Sequence, residues 1–518
     1  MPGRLRTAIF SVAGIVLVSK ALGFVREMVI ADKFGTSAEY DLYLIAIMLP
    51  ALAYGVLNYA SFYLFVPYFS RKLGDSDNLG DGWRTIWPPV HMSLLIAVAV
   101  TAAIIIAAPY LMRIWAADYL AAEFSRIVFY SRVTAVIVVL GTMEAVVRAF
   151  LNVKEVYTYP AAGYIIFNAF SILSVILLHE RFSVGAVAIG LLGGLLAQNV
   201  YLLCRLVSFK SAAASGRSAF GENSRAFVSA AGMLVLIELI NRSYFLIDRY
   251  FAPQFGEGII SALNYGQVLV QLPDSVIGFA IGAVVFPLFS TSLRKADHAH
   301  FAAVYEKAVS GALLIAVPLA VFLLTNAEDV VYLVFQRGVF DANSVSITAA
   351  VLRPYAPTVI ALFIVSVSIR ACYAGGWQAQ VFGFAVVLFV TKLAATWLLP
   401  QWFGYPGISA ATSLAHAGYA LCLLGFIVRK TRTGSTRPFA WRLARILLAG
   451  GLSLAVIMLL QDFWPAGLNG TGRSLAAARM ALSGVVLTTA YVALSLILGL
   501  GPSLAELFSV RTKRNENS

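Results

Sequence analysis

LVSKALGFVREMVIADKFG, residues 17–35, decides how the rest of the chain is read. It continues an apolar run long enough to cross a bilayer. Yet Lys20, Arg26 and Glu27 stand inside it, near Gly23. An ion at the centre of a membrane helix costs ~3 kcal/mol on insertion scales. A helix with three such groups must turn them toward protein, water or a polar ligand. The segment is therefore a candidate wall of a polar cavity inside a membrane protein.

The whole chain fits that setting. Of its 518 residues 60% are hydrophobic and only 12% charged, about half of what a soluble surface needs. Apolar runs of about twenty residues recur from end to end, which predicts an all-α polytopic membrane protein. Alternating ten-residue strands are absent, so an outer-membrane barrel is excluded. A net charge of +13 is accounted for by basic loops on one side and does not call for nucleic acid. Cys204, Cys372 and Cys422 lie in apolar segments without metal-ligand spacing. The first run has no small-residue cleavage site, so no cleavable signal is expected.

Fourteen transmembrane helices are expected, at 7–31, 41–70, 86–110, 127–151, 158–178, 183–208, 226–252, 258–291, 302–325, 344–371, 378–400, 406–428, 439–461 and 475–500. The second and eighth are overlong and hold Pro50 and Pro273, so bends or breaks are expected there. Loop arginines and lysines from Arg4 to Arg514 fall mostly on one side when the count is even. That side is read as cytoplasmic, with both termini on it.

A repeat divides the chain. AxxFG occurs at Ala31–Gly35 and Ala252–Gly256, LP at Leu49–Pro50 and Leu272–Pro273, and FVPYFS (Phe65–Ser70) matches VFPLFS (Val285–Ser290). The offsets are 221, 223 and 220 residues. Six spans per copy make the repeat parallel, and transporters so built bind substrate between their halves. The expected domains are an N-lobe at 1–208 (helices 1–6), a cytoplasmic linker at 209–225, a C-lobe at 226–430 (helices 7–12), and two extra helices with a basic tail at 431–518. The extra pair is expected to pack on one lobe and border a lateral opening to lipid.

Ionisable residues at membrane depth mark the candidate sites. Lys20 and Glu27 share a face of the first helix, and Arg26 points about 120° away. Glu238, Arg242 and Arg249 form a stripe on the seventh, beside Asp248. Glu144 and Arg148 are an i,i+4 pair on the fourth. Lys392 lies well inside the eleventh, and Arg370 ends the tenth. Arg148, Arg249 and Arg370 are near helix ends, where snorkelling explains them as well as ligand contact does. Glu144–Arg148 and Glu238–Arg242 read equally as structural ion pairs. Lys20 and Lys392 lie deep without a local partner, which favours a cavity. A cation-lined cavity suits an anionic headgroup, with phosphate the obvious candidate. Other signals carry little. Asp75–Ser76–Asp77 reads as a solvated turn, Gly278 and Gly282 as a close-packing pair, and no P-loop is present. No metal or other cofactor is expected.

SKALGFVRE (Ser19–Glu27), ADKFG, YDLYLIAIMLP and FVPYFS together resemble the pattern SRxLGFxRD…FG…DAFxxAFxLP…FVP of the MurJ/MviN family. These are lipid II flippases of the multidrug/oligosaccharidyl-lipid/polysaccharide exporter superfamily. Leu272–Ser290 and Leu333–Ser344 also look like family segments. The resemblance implies a V-shaped pair of lobes around a cationic cavity, and a groove for a polyprenyl tail at the last two helices. It places Lys20, Arg26, Glu27 and Asp41 at the family's charged positions. Two family cations are missing. The arginine just after LP is replaced by LPALAYG, and Val268 and Gln271 stand where the eighth helix has Arg and Glu. Arg242, Arg249 or Lys392 is expected to compensate, or the headgroup differs.

The resemblance thus implies a flippase for an undecaprenyl-diphosphate-linked saccharide of the lipid II type, in the bacterial cytoplasmic membrane. Its partners would be that lipid-linked saccharide, membrane lipids and cell-wall synthesis proteins. An exporter of another polyprenyl-linked repeat unit is the near alternative. A membrane glycosyltransferase or a non-transporting scaffold is the alternative of another class. In parts of the superfamily a carboxylate on the seventh helix and polar groups on the eleventh hold a cation. Here Asp248 and Lys392 stand there, so a lysine ammonium is expected to fill such a site, with Asp248 or Glu238 as its partner.

Overall fold

The computed structural model describes residues 2–73, 82–115, 118–207, 224–431, 436–461, 470, 472–501 and 503. Most of the expected 209–225 linker, the Asp75–Asp77 turn and the basic tail lie outside the described residues. Those described are almost wholly helical, as backbone polar groups in hydrocarbon require.

Two compact units form, residues 1–261 with 337–341, and residues 262–336 with 342–518. The first contains α1 (Pro2–Phe34), α2 (Ala38–Leu73), α3 (Gly82–Leu111), α4 (Phe124–Thr134), α5 (Ile137–Val153), α6 (Thr158–Phe182), α7 (Gly185–Val207) and α8 (Ser224–Phe251). The second contains nearly all of α9 (Ile259–Pro273), then α10 (Phe279–Arg294), α11 (His298–Thr325), α12 (Ala327–Phe335), α13 (Ala342–Tyr355), α14 (Thr358–Ala374), α15 (Gln378–Leu398), α16 (Pro400–Phe403), α17 (Pro406–Lys430), α18 (Thr436–Gln461) and α19 (Arg473–Ile497).

Among the described residues eleven spans are long and apolar enough to cross a membrane, with α4–α5, α9–α10 and α15–α16 each counting as one, or twelve when α13 and α14, bent by 49°, count as one more. The expected count of fourteen adds α1 and α8. Both are long; α1 carries Lys20, Arg26 and Glu27, and α8 carries Glu238, Arg242, Asp248 and Arg249. The two expected proline breaks differ. α2 runs unbroken through Pro50 and Pro67, whereas a π turn at Asp274–Gly278 follows Pro273. Neighbouring groups in a membrane bundle re-satisfy the carbonyl that a proline frees, so either outcome is tolerated.

The repeat is written into the backbone. α5 ends when Val156 N donates to Leu151 O at 2.9 Å, and α14 when Trp377 N donates to Cys372 O at 2.9 Å. The left-handed residues there are Glu155 (φ 58°) and Gly376 (φ 70°), 221 apart. The break before α5 is closed by Val138 N to Ala135 O, and that before α14 by Val359 N to Ala356 O, both 3.1 Å. Ser183 (φ 47°) and Gly404 (φ 63°) end α6 and α16, again 221 apart. The landmarks that slip, at offsets of 223 and 220, bracket the π turn.

Aromatic and aliphatic packing fills each unit. In the first, Phe65 and Phe69 of α2 meet Phe150 of α5 and Leu202 and Leu206 of α7. The short segment 337–341 docks on the end of α1, where Val339 N donates to Asp32 O at 3.0 Å. A Cβ on Gly35 would stand 2.9 Å from the Val339 carbonyl oxygen, so only glycine fits this approach at φ 54°. In the second unit the two extra helices pack on α11 and α12. Ile457 and Leu487 meet Val321, Asn326 Nδ2 donates to Ser483 Oγ at 2.8 Å, and Arg479 forks onto Asp329.

Candidate functional site: a charged seam along the second helix

The charged groups of α1 are tied to α6 by one amide. Arg26 reaches its neighbour Glu27 at 2.7 Å and Asn168 Oδ1 at 3.4 Å, with its guanidinium over the Phe167 ring. A flexible arginine thus overcomes the 120° offset expected from the helical wheel. Asn168 Nδ2 donates to Ser19 O at 3.2 Å and to Tyr164 O at 2.9 Å. Gly23 faces this amide, and a Cβ there would make ordinary contact with Asn168 Oδ1 at 3.7 Å. Lys20 is exposed.

One face of α2 gathers the rest. Tyr40, Tyr43, Tyr54 and Asn58 recur at spacings of three, eleven and four, which align on a helix. Tyr40 and Tyr43 lie within electrostatic range of Arg26, Glu27 and Arg249. Tyr54 lies within range of Glu144, Arg148, Arg242 and Arg26. Four arginines from α1, α5 and α8 therefore approach the same stripe. Sequence reasoning missed the stripe because tyrosines in an apolar helix read as core. Its signal was the hydroxyl-bearing aromatics at helical spacing.

Each arginine has a carboxylate beside it or one turn away. Arg148 Nε donates to Glu144 Oε1 at 2.8 Å, and Arg148 Nη2 to Asn58 Oδ1 at 2.9 Å. Asn58 Nδ2 returns to Glu144 Oε2 at 2.9 Å, and Arg148 lies 4.2 Å over the Phe62 ring. Glu144 is buried and fully engaged. Arg242 pairs with Glu238. Arg249 lies over Phe245 beside the buried Asp248.

Arg242 also meets α2 where the family arginine is missing. A Cβ on Gly55 would fall 2.5 Å from Arg242 Nε and 2.7 Å from its Cζ. The guanidinium from α8 therefore occupies the space beside the residue that follows LPALAY. Its side chain remains 44% exposed, so it is open to a ligand.

Three other expected residues lie differently. Asp41 is fully buried and caps the start of α9, accepting from Gly258 N and Ser261 N at 2.7 Å each and from the Ser261 hydroxyl. A carboxylate on free amides at a helix N-terminus is a favourable use of a buried charge. Lys392, 1% exposed, donates to Ile408 O at 3.0 Å and Thr412 Oγ1 at 2.6 Å within the second unit. Arg370 donates to the carbonyl and hydroxyl of Ser366 at 2.6 Å each, and Gly282 leaves the room its guanidinium needs.

Comparison with known proteins agrees with this architecture. The family model described as lipid II flippase MurJ matches residues 30–471. A probable lipid II flippase MurJ of Rhizobium meliloti is 24% identical over 523 residues, covering 98% of this chain and 96% of that protein. The lipid II flippase MurJ of Burkholderia cenocepacia is 23% identical, covering 87% and 89%. Among solved structures, a lipid II flippase MurJ in an inward closed conformation superposes with a TM-score of 0.75 at 20% identity, over 94% of this chain and 98% of that one. A multidrug resistance MATE family transporter gives 0.64 at 13% identity, over 82% and 99%. With a family model spanning most of its length and a fold to match, this multi-pass membrane protein belongs to the lipid II flippase MurJ family.

Proposed function

We propose that this chain carries an undecaprenyl-diphosphate-linked saccharide of the lipid II type across the bacterial cytoplasmic membrane by alternating access. It acts as a transporter and not as an enzyme, with both termini cytoplasmic. The observation that carries the reading is the set of arginines from three helices converging on the Tyr40–Asn58 stripe of α2. Guanidinium groups match diphosphate oxygens in geometry and charge.

The carboxylates give that set a second property. With Glu27, Glu144 and Glu238 in place, the arginines are neutralised while no ligand is bound, which limits the cost of holding them at membrane depth. A diphosphate takes over the half-buried donors of Arg26 and the exposed donors of Arg242, while Arg148, held by Asn58 and Glu144, keeps its geometry. Lys20 adds a mobile point charge. As a cap, Asp41 ties the start of α2 to the start of α9, a contact that must break if those ends separate during transport.

The test is a flipping assay in vesicles with fluorescent lipid II, read by accessibility of the headgroup to an added enzyme, together with complementation of a strain depleted of its own lipid II flippase. Protein-dependent flipping that Arg26→Ala abolishes supports the proposal. Absence of flipping by folded protein, with accumulation of a different lipid-linked saccharide in the depleted native strain, would overturn the lipid II assignment.

A further inference from the structure

We propose that the outer face of the α15–α17 pair is a binding site for one anionic phospholipid, separate from the transported substrate. The two helices pack together along their length. At the basic end of α17 a groove of about 620 Å³ opens, walled by Phe384, Leu421, Phe426 and Cys422 and closed by Arg429 and Lys430. Both cations are exposed and lie in the last helical turn.

Two features distinguish this groove from an ordinary basic helix end. The first is its floor. A Cβ added at Gly425 in the groove would meet nothing within 4 Å, and the same holds at Gly418 and Gly383 beyond it, so three positions on two helices leave open space at the surface. Gly418 and Gly425 are seven apart, two turns on one face, alternating with Leu414 and Leu421, which are 52% and 66% exposed. From Leu421 to Lys430 the groove runs about 14 Å along the helix, close to the depth of one leaflet's hydrocarbon, roughly 15 Å. The second is its wall. Phe426 is fixed between Trp377 at 5.5 Å and Phe384 at 5.8 Å, ring centre to ring centre, so the trough has a rigid aromatic side.

The chemistry fits one kind of occupant. An acyl chain lies along Gly425, Leu421 and Gly418 and fills what would otherwise be poorly packed space. A phosphodiester at the membrane surface receives Arg429 and Lys430. Snorkelling or a helix-dipole role would explain the two cations alone, but neither calls for a trough beneath them. A zwitterionic lipid satisfies the trough but returns a positive group to the cations. The site therefore prefers a phosphatidylglycerol-type headgroup.

The experiment measures lipid retained by purified full-length protein, using native mass spectrometry during titration with phosphatidylglycerol or phosphatidylcholine. Wild type retains phosphatidylglycerol in preference, by about thirtyfold if each cation contributes as basic residues do at anionic surfaces. Arg429→Gln with Lys430→Gln removes the preference and leaves equal, weak retention of both lipids. Gly425→Leu, and independently Gly418→Leu, keep both charges and fill open space, so the fold survives while retention of both lipids falls. In wild type, phosphatidylglycerol slows maleimide labelling of Cys422 relative to the exposed Cys204. Equal retention of the two lipids by wild type would overturn the proposal. So would unchanged phosphatidylglycerol retention in both glycine variants, which would reduce the effect to diffuse surface charge.

Discussion

Replacing Arg242 with alanine removes the exposed cation beside Gly55 and leaves Glu238, whose side chain is only 10% exposed, without its partner. A hydrogen bond to a charged group is worth ~1.5–3 kcal/mol, which is roughly a 10- to 150-fold change in an equilibrium constant. Arg242 is itself 44% exposed and screened by water, so the low end of that range applies and a loss of about tenfold in flipping is expected. The informative variant is the second one. Because a Cβ at Gly55 meets the Arg242 guanidinium first, Gly55→Arg alone crowds it and should impair transport. In an Arg242→Ala background the same change places a guanidinium from α2 into vacated space. The double variant should then recover to within about fivefold of wild type, a coupling well outside additivity. Initial rates of lipid II flipping in vesicles, with membrane levels of each variant measured, give the cycle directly. A double variant no better than Arg242→Ala would refute the idea that the α8 arginine stands in for a missing one on α2.

Four further outcomes are expected. Arg26→Ala should abolish complementation while the protein remains in the membrane, and a fully active variant would remove Arg26 from the site. Asp41→Asn keeps the shape of the α9 cap but loses its charge; thermal unfolding should show a destabilisation of ~1–3 kcal/mol, and an unchanged melting temperature would mean the cap contributes little. Sodium titration of transport should be flat for the unaltered protein, because the Lys392 ammonium already occupies the Ile408 carbonyl and Thr412 hydroxyl; strict sodium dependence would end that reading, and dependence appearing only in Lys392→Asn would strengthen it. Arg479→Gln should loosen α19 from α12, seen as faster proteolysis within 470–501, since the Asp329 fork is lost.

The fold was legible wherever hydrophobicity and length decide the outcome. The span limits follow from apolar runs, and the repeat from AxxFG and the paired prolines. What the sequence hid was partnership. Nothing local reveals that Asn168 ties Arg26 to the backbone at Ser19, because Asn168 and Ser19 are 149 positions apart. Asp41 looked like one more cavity charge because its amide partners, Gly258 and Ser261, belong to a distant helix start. Lys392 has no acid nearby in sequence, and its ammonium is held by a carbonyl and a hydroxyl of α17, groups that no charge pattern marks.

The constant offset of the helix ends says something about tolerance to change. From Gly35 to Ser183 and from Gly256 to Gly404 the chain spends the same number of residues, although few side chains agree. At Glu155 and Ser183 a side chain accepts a left-handed backbone that the other copy gives to glycine. What the two halves share is therefore residue count, and a single inserted or deleted residue inside these stretches has no free place to go. It must be absorbed by a bulge, or it rotates every later contact by about 100°. Tags, reporters and cross-linking insertions belong outside both stretches.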